Sequence, residues 1–219
     1  MTRFIIVRHG RSTANDRGVF SCRQDVPLSP VGIKQAQHVA DHLAAHEQID
    51  AIYTSGLLRT IQTAAPTAER FGLKTQTEPD LCEIFAGLWE GVHYNELKRR
   101  FHEDWMNWLY DFSNARCTGG ESVRELYRRM ETTIHRIAAQ NKDRTVMLVT
   151  HCTPLRVMIA MSMGYSPDRV HLAPTPTNAT VNIFDYENGA LTAEVTNLIT
   201  YPDSLYFTHT HPLPPRIPK

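Results

Sequence analysis

Residues 4–10, Phe4-Ile5-Ile6-Val7-Arg8-His9-Gly10, join four apolar residues to two basic side chains and a glycine. A continuous apolar run of this length is typical of a strand that is buried on both faces of a sheet. Such strands occur mainly in parallel sheets with helices on both sides. The stretch therefore predicts a central strand, with Arg8 and His9 at its carboxyl end.

The chain on either side of this strand alternates predicted strands with predicted helices. Further strands are predicted at residues 51–53, 74–77 and 145–150. Helices are predicted over 30–46 after the N-cap Ser29, from a cap at Ser55 to Gly72, over 121–140, and from Thr153-Pro154 onward. Residues 181–184 and 192–198 predict a closing hairpin around Asn188-Gly189. This order predicts a three-layer α/β/α fold, with helices on both faces of a mainly parallel, open sheet.

The domain organisation predicted from this pattern is simple. Residues 1–208 form one domain, and residues 209–219 form a loose proline-rich tail. Residues 93–118 are expected to be a lid-like helical insertion. Its aromatic residues leave two interpretations open, because they either pack the insertion onto the core or cover the substrate. They are Phe101, Trp105, Trp108 and Phe112.

Charge and cysteine content restrict the classes of partner. Lys plus Arg total 23 and Asp plus Glu total 23, so the net charge is zero. This balance argues against nucleic acid and acidic membrane surfaces as partners, although it permits a local anion site. The cysteines at 22, 82, 117 and 152 form no CxxC pair, so neither a zinc site nor a redox dithiol is indicated. With no visible signal peptide or membrane span, we expect a cytoplasmic protein; homo-oligomerisation stays open.

Five reactive side chains follow four of the predicted strands. Arg8 and His9 follow the first strand, Arg59 begins the helix after the second, Glu83 follows the third, and His151 follows the fourth. The carboxyl ends of parallel strands meet at one edge of a sheet, where ligands bind. Guanidinium groups neutralise phosphoryl oxygens, an imidazole can attack phosphorus, and a carboxyl can protonate a leaving alkoxide. The set therefore predicts phosphoryl transfer from a small phosphomonoester.

The same residues carry a resemblance to a known family. Arg8-His9-Gly10 resembles the signature of the histidine phosphatase superfamily, which has the phosphoglycerate mutase-like fold. Further blocks follow in the family's order: Ser12 with Asn15, Asp25-Val26-Pro27-Leu28-Ser29 with Gly32, Ser55-Gly56-Leu57-Leu58-Arg59-Thr60, Leu81-Cys82-Glu83 with Gly87-Leu88-Trp89-Glu90-Gly91, Gly119-Gly120-Glu121-Ser122, and Val149-Thr150-His151. The resemblance thus extends over most of the chain.

The resemblance implies a role for each of the five side chains. His9 is the expected nucleophile and forms a phosphohistidine intermediate. Arg8, Arg59 and His151 surround the transferred phosphoryl group, and Glu83 protonates the leaving oxygen. The family requires no metal, and the resemblance implies no cofactor.

Five further residues are expected to bind the substrate. Gly10, Ser12 and Asn15 belong to the signature and the positions after it. Cys22 and Cys152 stand where the family usually has glycine, which would place two thiols at the pocket rim. Either these cysteines are tolerated as small residues, or thiolates near cationic groups make the activity sensitive to oxidation.

Three functions fit the sequence. The first is a metal-independent phosphatase for small phosphomonoesters, which residues 87–91 favour because they resemble those of phosphatase-type members. The second is a phosphoglycerate mutase that uses the same site. The third is a noncatalytic module that binds a phosphorylated ligand; the presence of both His9 and Glu83 disfavours it.

Overall fold

The apolar run at residues 4–7 lies at the centre of a six-stranded sheet in the computed structural model, which describes residues 1–206. The strands are β1 (Thr2–Arg8), β2 (Val19–Phe20), β3 (Ala51–Thr54), β4 (Thr75–Thr77), β5 (Val92–His93), β6 (Thr145–Thr150), β7 (Val181–Glu187) and β8 (Ala190–Leu198). The helices are α1 (Thr13–Arg17), α2 (Pro30–His46), α3 (Leu58–Phe71), α4 (Tyr94–Arg100), α5 (His102–Tyr110), α6 (Val123–Gln140) and α7 (Cys152–Ser162).

The large sheet has the strand order β4-β3-β6-β1-β7-β8. Strands β4, β3, β6 and β1 are parallel, whereas β7 and β8 form an antiparallel hairpin at one side. The hairpin turns at Asn188-Gly189, where both residues have positive φ, as a two-residue turn requires. The mainly parallel sheet is confirmed, and the hairpin was predicted at the right place. Strands β2 and β5 form a separate two-stranded sheet that the sequence pattern did not reveal.

Alternate residues of β1 contact different layers of the fold. Phe4 and Ile6 lie in the apolar core that α6 and α7 line, whereas Ile5 and Val7 lie in a second core lined by α2 and α3. All four side chains are fully buried. The continuous apolar run is explained by this arrangement, because both faces of the strand are covered by helices.

Local capping rules predict some helix starts and miss others. Ser29 caps α2 by accepting a hydrogen bond from the Gly32 amide, as expected. The predicted caps at Ser55 and Thr153 are wrong: α3 begins at Leu58 after Leu57, and α7 begins at Cys152 after His151. The Ser55 hydroxyl bonds His151 and the Thr153 amide bonds Glu83, so both groups are used by the site described below.

The aromatic segment after residue 93 folds as two short helices, α4 and α5, and packs on the core. Its partner is Trp89, which is fully buried. The centroids of the Trp105 and Trp108 rings each lie 5.7 Å from that of Trp89, in edge-on contacts. Such contacts favour the packing interpretation for these side chains. The tail expected at 209–219 lies outside the described residues, and no helix within residues 1–206 is long and apolar enough to cross a membrane.

Gly72 offers a test of how α3 ends. This residue is left-handed, with φ 64°, and a β-carbon there would have no heavy atom of residues 1–206 within 4 Å. Gly72→Ala therefore adds backbone strain without a steric clash. We expect the free energy of unfolding, measured in urea, to fall by about 1–2 kcal/mol. Gly72→Asn is the control and loses less, because Asn tolerates this conformation; an alanine variant as stable as the wild type would contradict the expectation.

Candidate active site

The structure brings the five predicted catalytic side chains to one edge of the sheet. Arg8 and His9 leave β1, Arg59 lies in the first turn of α3, and His151 follows β6 directly. Glu83 follows β4 after a short 3₁₀ turn at Pro79–Leu81. All five are buried, and none is more than 8% exposed. Charged groups at this depth act in a medium of low polarity, which strengthens their effect on a bound anion.

The His9 ring is fixed in one tautomer by its neighbour. Nδ1 lies 2.7 Å from the carbonyl oxygen of Gly10, which can only accept, so Nδ1 carries the proton. The lone pair is then on Nε2, the atom available as a nucleophile. Burial, with Arg59 and Arg8 nearby, holds the pKa of His9 well below the ordinary 6.5. The imidazole is therefore neutral at physiological pH, as attack on phosphorus requires.

His151 is held by a chain of hydrogen bonds that sets the opposite tautomer. Arg59 Nη2 lies 3.1 Å from Nδ1, and a guanidinium only donates, so Nδ1 accepts. Nε2 consequently donates to Ser55 Oγ at 2.8 Å. The Ser55 hydroxyl lies 3.0 Å from Thr60 Oγ1, which donates onward to the Leu57 carbonyl. Burial, followed by the charge of Arg59, holds the pKa of His151 well below 6.5. Its ring centroid lies 5.1 Å from that of His9.

The guanidinium of Arg59 is anchored to a loop that a carboxylate organises. Nη1 and Nη2 donate to the carbonyl oxygens of Gln24 and Cys22 at 2.8 and 2.6 Å. Glu90 Oε1 in turn accepts the backbone amides of Cys22, Arg23 and Gln24 at 2.8–3.0 Å. Glu90 thus fixes the loop whose carbonyls orient Arg59. The sequence placed Glu90 in a family block, yet residue type alone gave no signal of this role.

Arg8 combines one anchored donor with one that has no partner. Nη1 donates to the Pro176 carbonyl oxygen at 2.7 Å. Within residues 1–206, Nε is buried and makes no hydrogen bond. A buried donor in this state is unfavourable unless a ligand satisfies it. An anionic oxygen bound beside Arg8 would do so.

Glu83 lies at the amino end of α7. Its Oε1 accepts the Ile84 amide at 2.8 Å, and both carboxylate oxygens lie 3.3 Å from the Thr153 amide. The amide at the start of a helix carries partial positive charge, which attracts a carboxylate. The carboxyl group is therefore held in a defined orientation on the same side of the sheet as His9 and His151.

The predicted substrate-binding residues Gly10, Ser12 and Asn15 make hydrogen bonds to other groups of the protein. The Gly10 amide donates to Thr63 Oγ1, and a β-carbon at Gly10 would lie 2.6 Å from a backbone oxygen. Ser12 and Asn15 form a reciprocal capping box at the start of α1. Their side chains therefore stabilise the loop after β1, and substrate contact stays a prediction for these three residues. Asn178, which the sequence did not single out, supports the same loop by donating to the His9 carbonyl at 3.0 Å.

The surroundings of Cys22 and Cys152 oppose activation of their thiols. Cys22 is 4% exposed and packs in the apolar core, while its carbonyl accepts a hydrogen bond from Arg59; its place at the pocket rim stays a prediction. Cys152 lies beside the Pro176 carbonyl that anchors Arg8. Burial raises the pKa of both thiols, which opposes the reactive thiolate form. The interpretation as tolerated small residues is favoured. Over residues 1–206, no group of three or more His, Cys, Asp or Glu side chains could hold a metal ion.

Comparison with known proteins agrees with this geometry. Residues 4–199 match the family model of the histidine phosphatase superfamily (branch 1). Phosphoserine phosphatase 1 of Hydrogenobacter thermophilus is 33% identical over 164 residues, covering 75% of this chain and 77% of that protein. Adenosylcobalamin/alpha-ribazole phosphatase of Escherichia coli is 31% identical over 163 residues, covering 74% and 79%.

The fold is shared with solved structures as well. YhfR of Bacillus stearothermophilus superposes with a TM-score of 0.84 at 23% identity, over 91% of this chain and 98% of that one. At this identity the likeness concerns the fold alone. The matched family model covers the whole region from the central strand β1 to the closing hairpin, including every side chain of the site. The chain therefore belongs to the histidine phosphatase superfamily.

Proposed function

We propose that this protein hydrolyses small phosphomonoesters without a metal ion, through a phosphohistidine intermediate on His9. The observation that carries the proposal is the state of the His9 ring. Its Nδ1 is bonded to the Gly10 carbonyl, which leaves the Nε2 lone pair beside the guanidinium groups of Arg8 and Arg59. A neutral nucleophile among fixed cations is what attack on an anionic ester needs.

In the first step, His9 Nε2 forms a bond to phosphorus as the bond to the leaving oxygen breaks. Arg8 and Arg59 neutralise the phosphoryl oxygens, and the unpartnered Nε of Arg8, as described for residues 1–206, supplies one hydrogen bond. The His151 ring, whose Nδ1 accepts the Arg59 hydrogen bond, lies with its centroid 5.1 Å from that of His9. Glu83, in its protonated form, donates its proton to the leaving oxygen.

In the second step, water attacks the phosphohistidine. The Glu83 carboxylate takes one proton from the water as its oxygen bonds to phosphorus. The bond to Nε2 breaks, and the electron pair returns to the imidazole. Phosphate leaves, and His9 is again neutral while Glu83 is again protonated, so the site is ready for another ester.

Small phosphomonoesters are the proposed substrates because the site holds two fixed guanidinium groups and because the relatives are named as phosphatases. Two relatives at 31–33% identity are named as phosphatases of phosphoserine and of alpha-ribazole phosphate. The mutase alternative is not favoured by these relatives, and a noncatalytic module would need neither His9 nor Glu83.

The proposed domain is 1–208, with 93–118 as an insertion. A cytoplasmic location is part of the proposal and is supported by four unpaired cysteines.

Phosphate release from a panel of phosphomonoesters in EDTA tests the proposal. We expect turnover of O-phosphoserine, alpha-ribazole phosphate or sugar phosphates without added metal. Enzyme quenched in alkaline denaturant, in which phosphohistidine is stable, should carry phosphate on the Nε2 atom of His9, identified by ³¹P NMR of the denatured protein, and His9→Ala should carry none. Complete dependence on metal would contradict the mechanism. Interconversion of 3- and 2-phosphoglycerate faster than phosphate release would favour the mutase.

The role of Glu83 is tested by leaving-group dependence. Glu83→Gln cannot donate the proton, so we expect kcat/KM on an alkyl phosphate, which reports formation of the phosphohistidine, to fall by roughly 10²–10⁴-fold. A p-nitrophenyl ester leaves as a stable anion and should lose far less. Steady-state kinetics on both esters measure this difference. Undiminished activity of Glu83→Gln on the alkyl ester would remove Glu83 from the mechanism.

The lowered pKa values of His9 and His151 predict a pH dependence. Both rings should stay neutral in the folded protein as the pH falls below 6.5, whereas they become protonated in the unfolded chain. Their contribution to the free energy of unfolding is therefore complete above pH 6.5 and lost progressively below it. Two-dimensional ¹H–¹⁵N NMR, with His9→Gln and His151→Gln for assignment, reads the ring states against a short histidine peptide. Protonation of either ring at or above pH 6.5 would refute the expectation.

A further inference from the structure

An ion pair behind the active site holds the loop that carries Glu83. Arg129 of α6 binds Glu121 in a bidentate fashion, with Nε–Oε1 at 2.9 Å and Nη2–Oε2 at 2.7 Å. Both side chains are largely buried, at 16% and 13% exposed. Glu121 lies just before Ser122, the N-cap of α6, so the helix start fixes one partner and its second turn fixes the other.

The remaining hydrogen bonds of this pair go to the backbone of Glu83, whose carbonyl lies 3.5 Å from Arg129 Nη2, and to the backbone on both sides of it. Arg129 Nη1 donates to the carbonyls of Asp80 and Cys82, the latter at 2.9 Å. Glu121 Oε2 accepts the Phe85 amide at 3.1 Å, and the Glu121 amide donates to the Phe85 carbonyl at 2.8 Å. Glu83 thus lies between two anchored segments. Neither Arg129 nor Glu121 contacts the carboxyl group itself.

A gain in folding stability does not account for the ion pair between Arg129 and Glu121. Removing two charges from water carries a desolvation penalty that their attraction offsets only in part, so a largely buried pair contributes little net stability. Its geometry, however, specifies where residues 80–85 lie. A proton donor depends on such placement, because a displacement of about 1 Å can cost about 10²-fold in rate.

We propose that Glu121 and Arg129 are positioning residues for Glu83 as the proton donor, an inference that rests on the proposed function. The pair holds the backbone of residues 80–85 so that the carboxyl group keeps its bonds to the Ile84 and Thr153 amides and points at the leaving oxygen. Loss of the pair lets this loop move while His9, Arg8 and Arg59 keep their own anchors.

Arg129→Met is compared with the wild type on an alkyl phosphate and on p-nitrophenyl phosphate. We expect kcat/KM on the alkyl ester, which reports formation of the phosphohistidine, to fall by about 10–100-fold, with kcat/KM on the p-nitrophenyl ester little changed, because only the first leaving group needs the acid. Arg129→Lys keeps the charge but not the bidentate bond, and it should be intermediate. Glu121→Gln tests the other partner in the same way.

Arg136→Met is the matched control. Arg136 lies two turns further along α6 and bonds the same segment, but only through the side chains of Glu78 and Asp80. It reaches no backbone atom next to Glu83, so both esters should be hydrolysed as by the wild type. Thermal melting of each variant accompanies the kinetics. If Arg129→Met does not fold, Arg129→Lys and Glu121→Gln are compared with the wild type on both esters instead.

The double variant separates positioning from general damage. In a Glu83→Gln background there is no acid to place, so adding Arg129→Met should cause no further selective loss on the alkyl ester. Equal loss on both esters in the single variants, or full activity on both, would overturn the proposal. If Glu83→Gln itself shows no dependence on the leaving group, the proposed function fails instead. The two failures are therefore distinguishable.

Discussion

The parallel pairing of β1 with β6 is the constraint on which the rest of the site depends. Val7 lies opposite Val149 and Arg8 opposite Thr150, and the His9 amide extends the ladder to the Thr150 carbonyl at 2.9 Å. This register places the two catalytic rings side by side at the ends of adjacent strands. A slip of one residue would turn every β1 side chain to the opposite face. The apolar run at residues 4–7 therefore determines where the His9 and His151 rings lie, because packing in both cores permits only one register of β1.

Around this pair of strands, the cations are held in place before any substrate arrives. Arg59 is anchored by the carbonyls of Cys22 and Gln24, and Arg8 by that of Pro176. Neutral oxygens orient the guanidinium groups without cancelling their charge. The zero net charge of the chain is therefore compatible with two fixed guanidinium groups at the site, since most of the 23 carboxylates lie elsewhere. Preorganised charge of this kind is a large part of catalytic power.

The sequence predicts those parts of the structure that local patterns determine. Phe4–Val7 and residues 145–150 are buried strands because apolar side chains at those positions have no other stable place. The predictions fail at Ser55 and Thr153, where the local capping preference gives way to bonds with His151 and Glu83. The contacts of Arg129 with the carbonyls of Asp80 and Cys82, and those of Glu90 with residues 22–24, join segments far apart along the chain. Such contacts depend on tertiary geometry and leave no local signal.

The predicted site contains buried groups, and next to Glu83 in the chain lie side chains that are exposed. The groups proposed to bind the phosphoryl moiety are buried and anchored by hydrogen bonds. Beside Glu83, in contrast, Phe85 and Leu88 are 42% and 62% exposed, and the guanidinium of Arg23 lies 5.1 Å from the Phe85 ring centroid. Exposed side chains can change without loss of core packing. Under the proposed function, we therefore expect substitutions of Phe85 and Leu88 to change the choice of alcohol more than the phosphoryl chemistry proposed for His9.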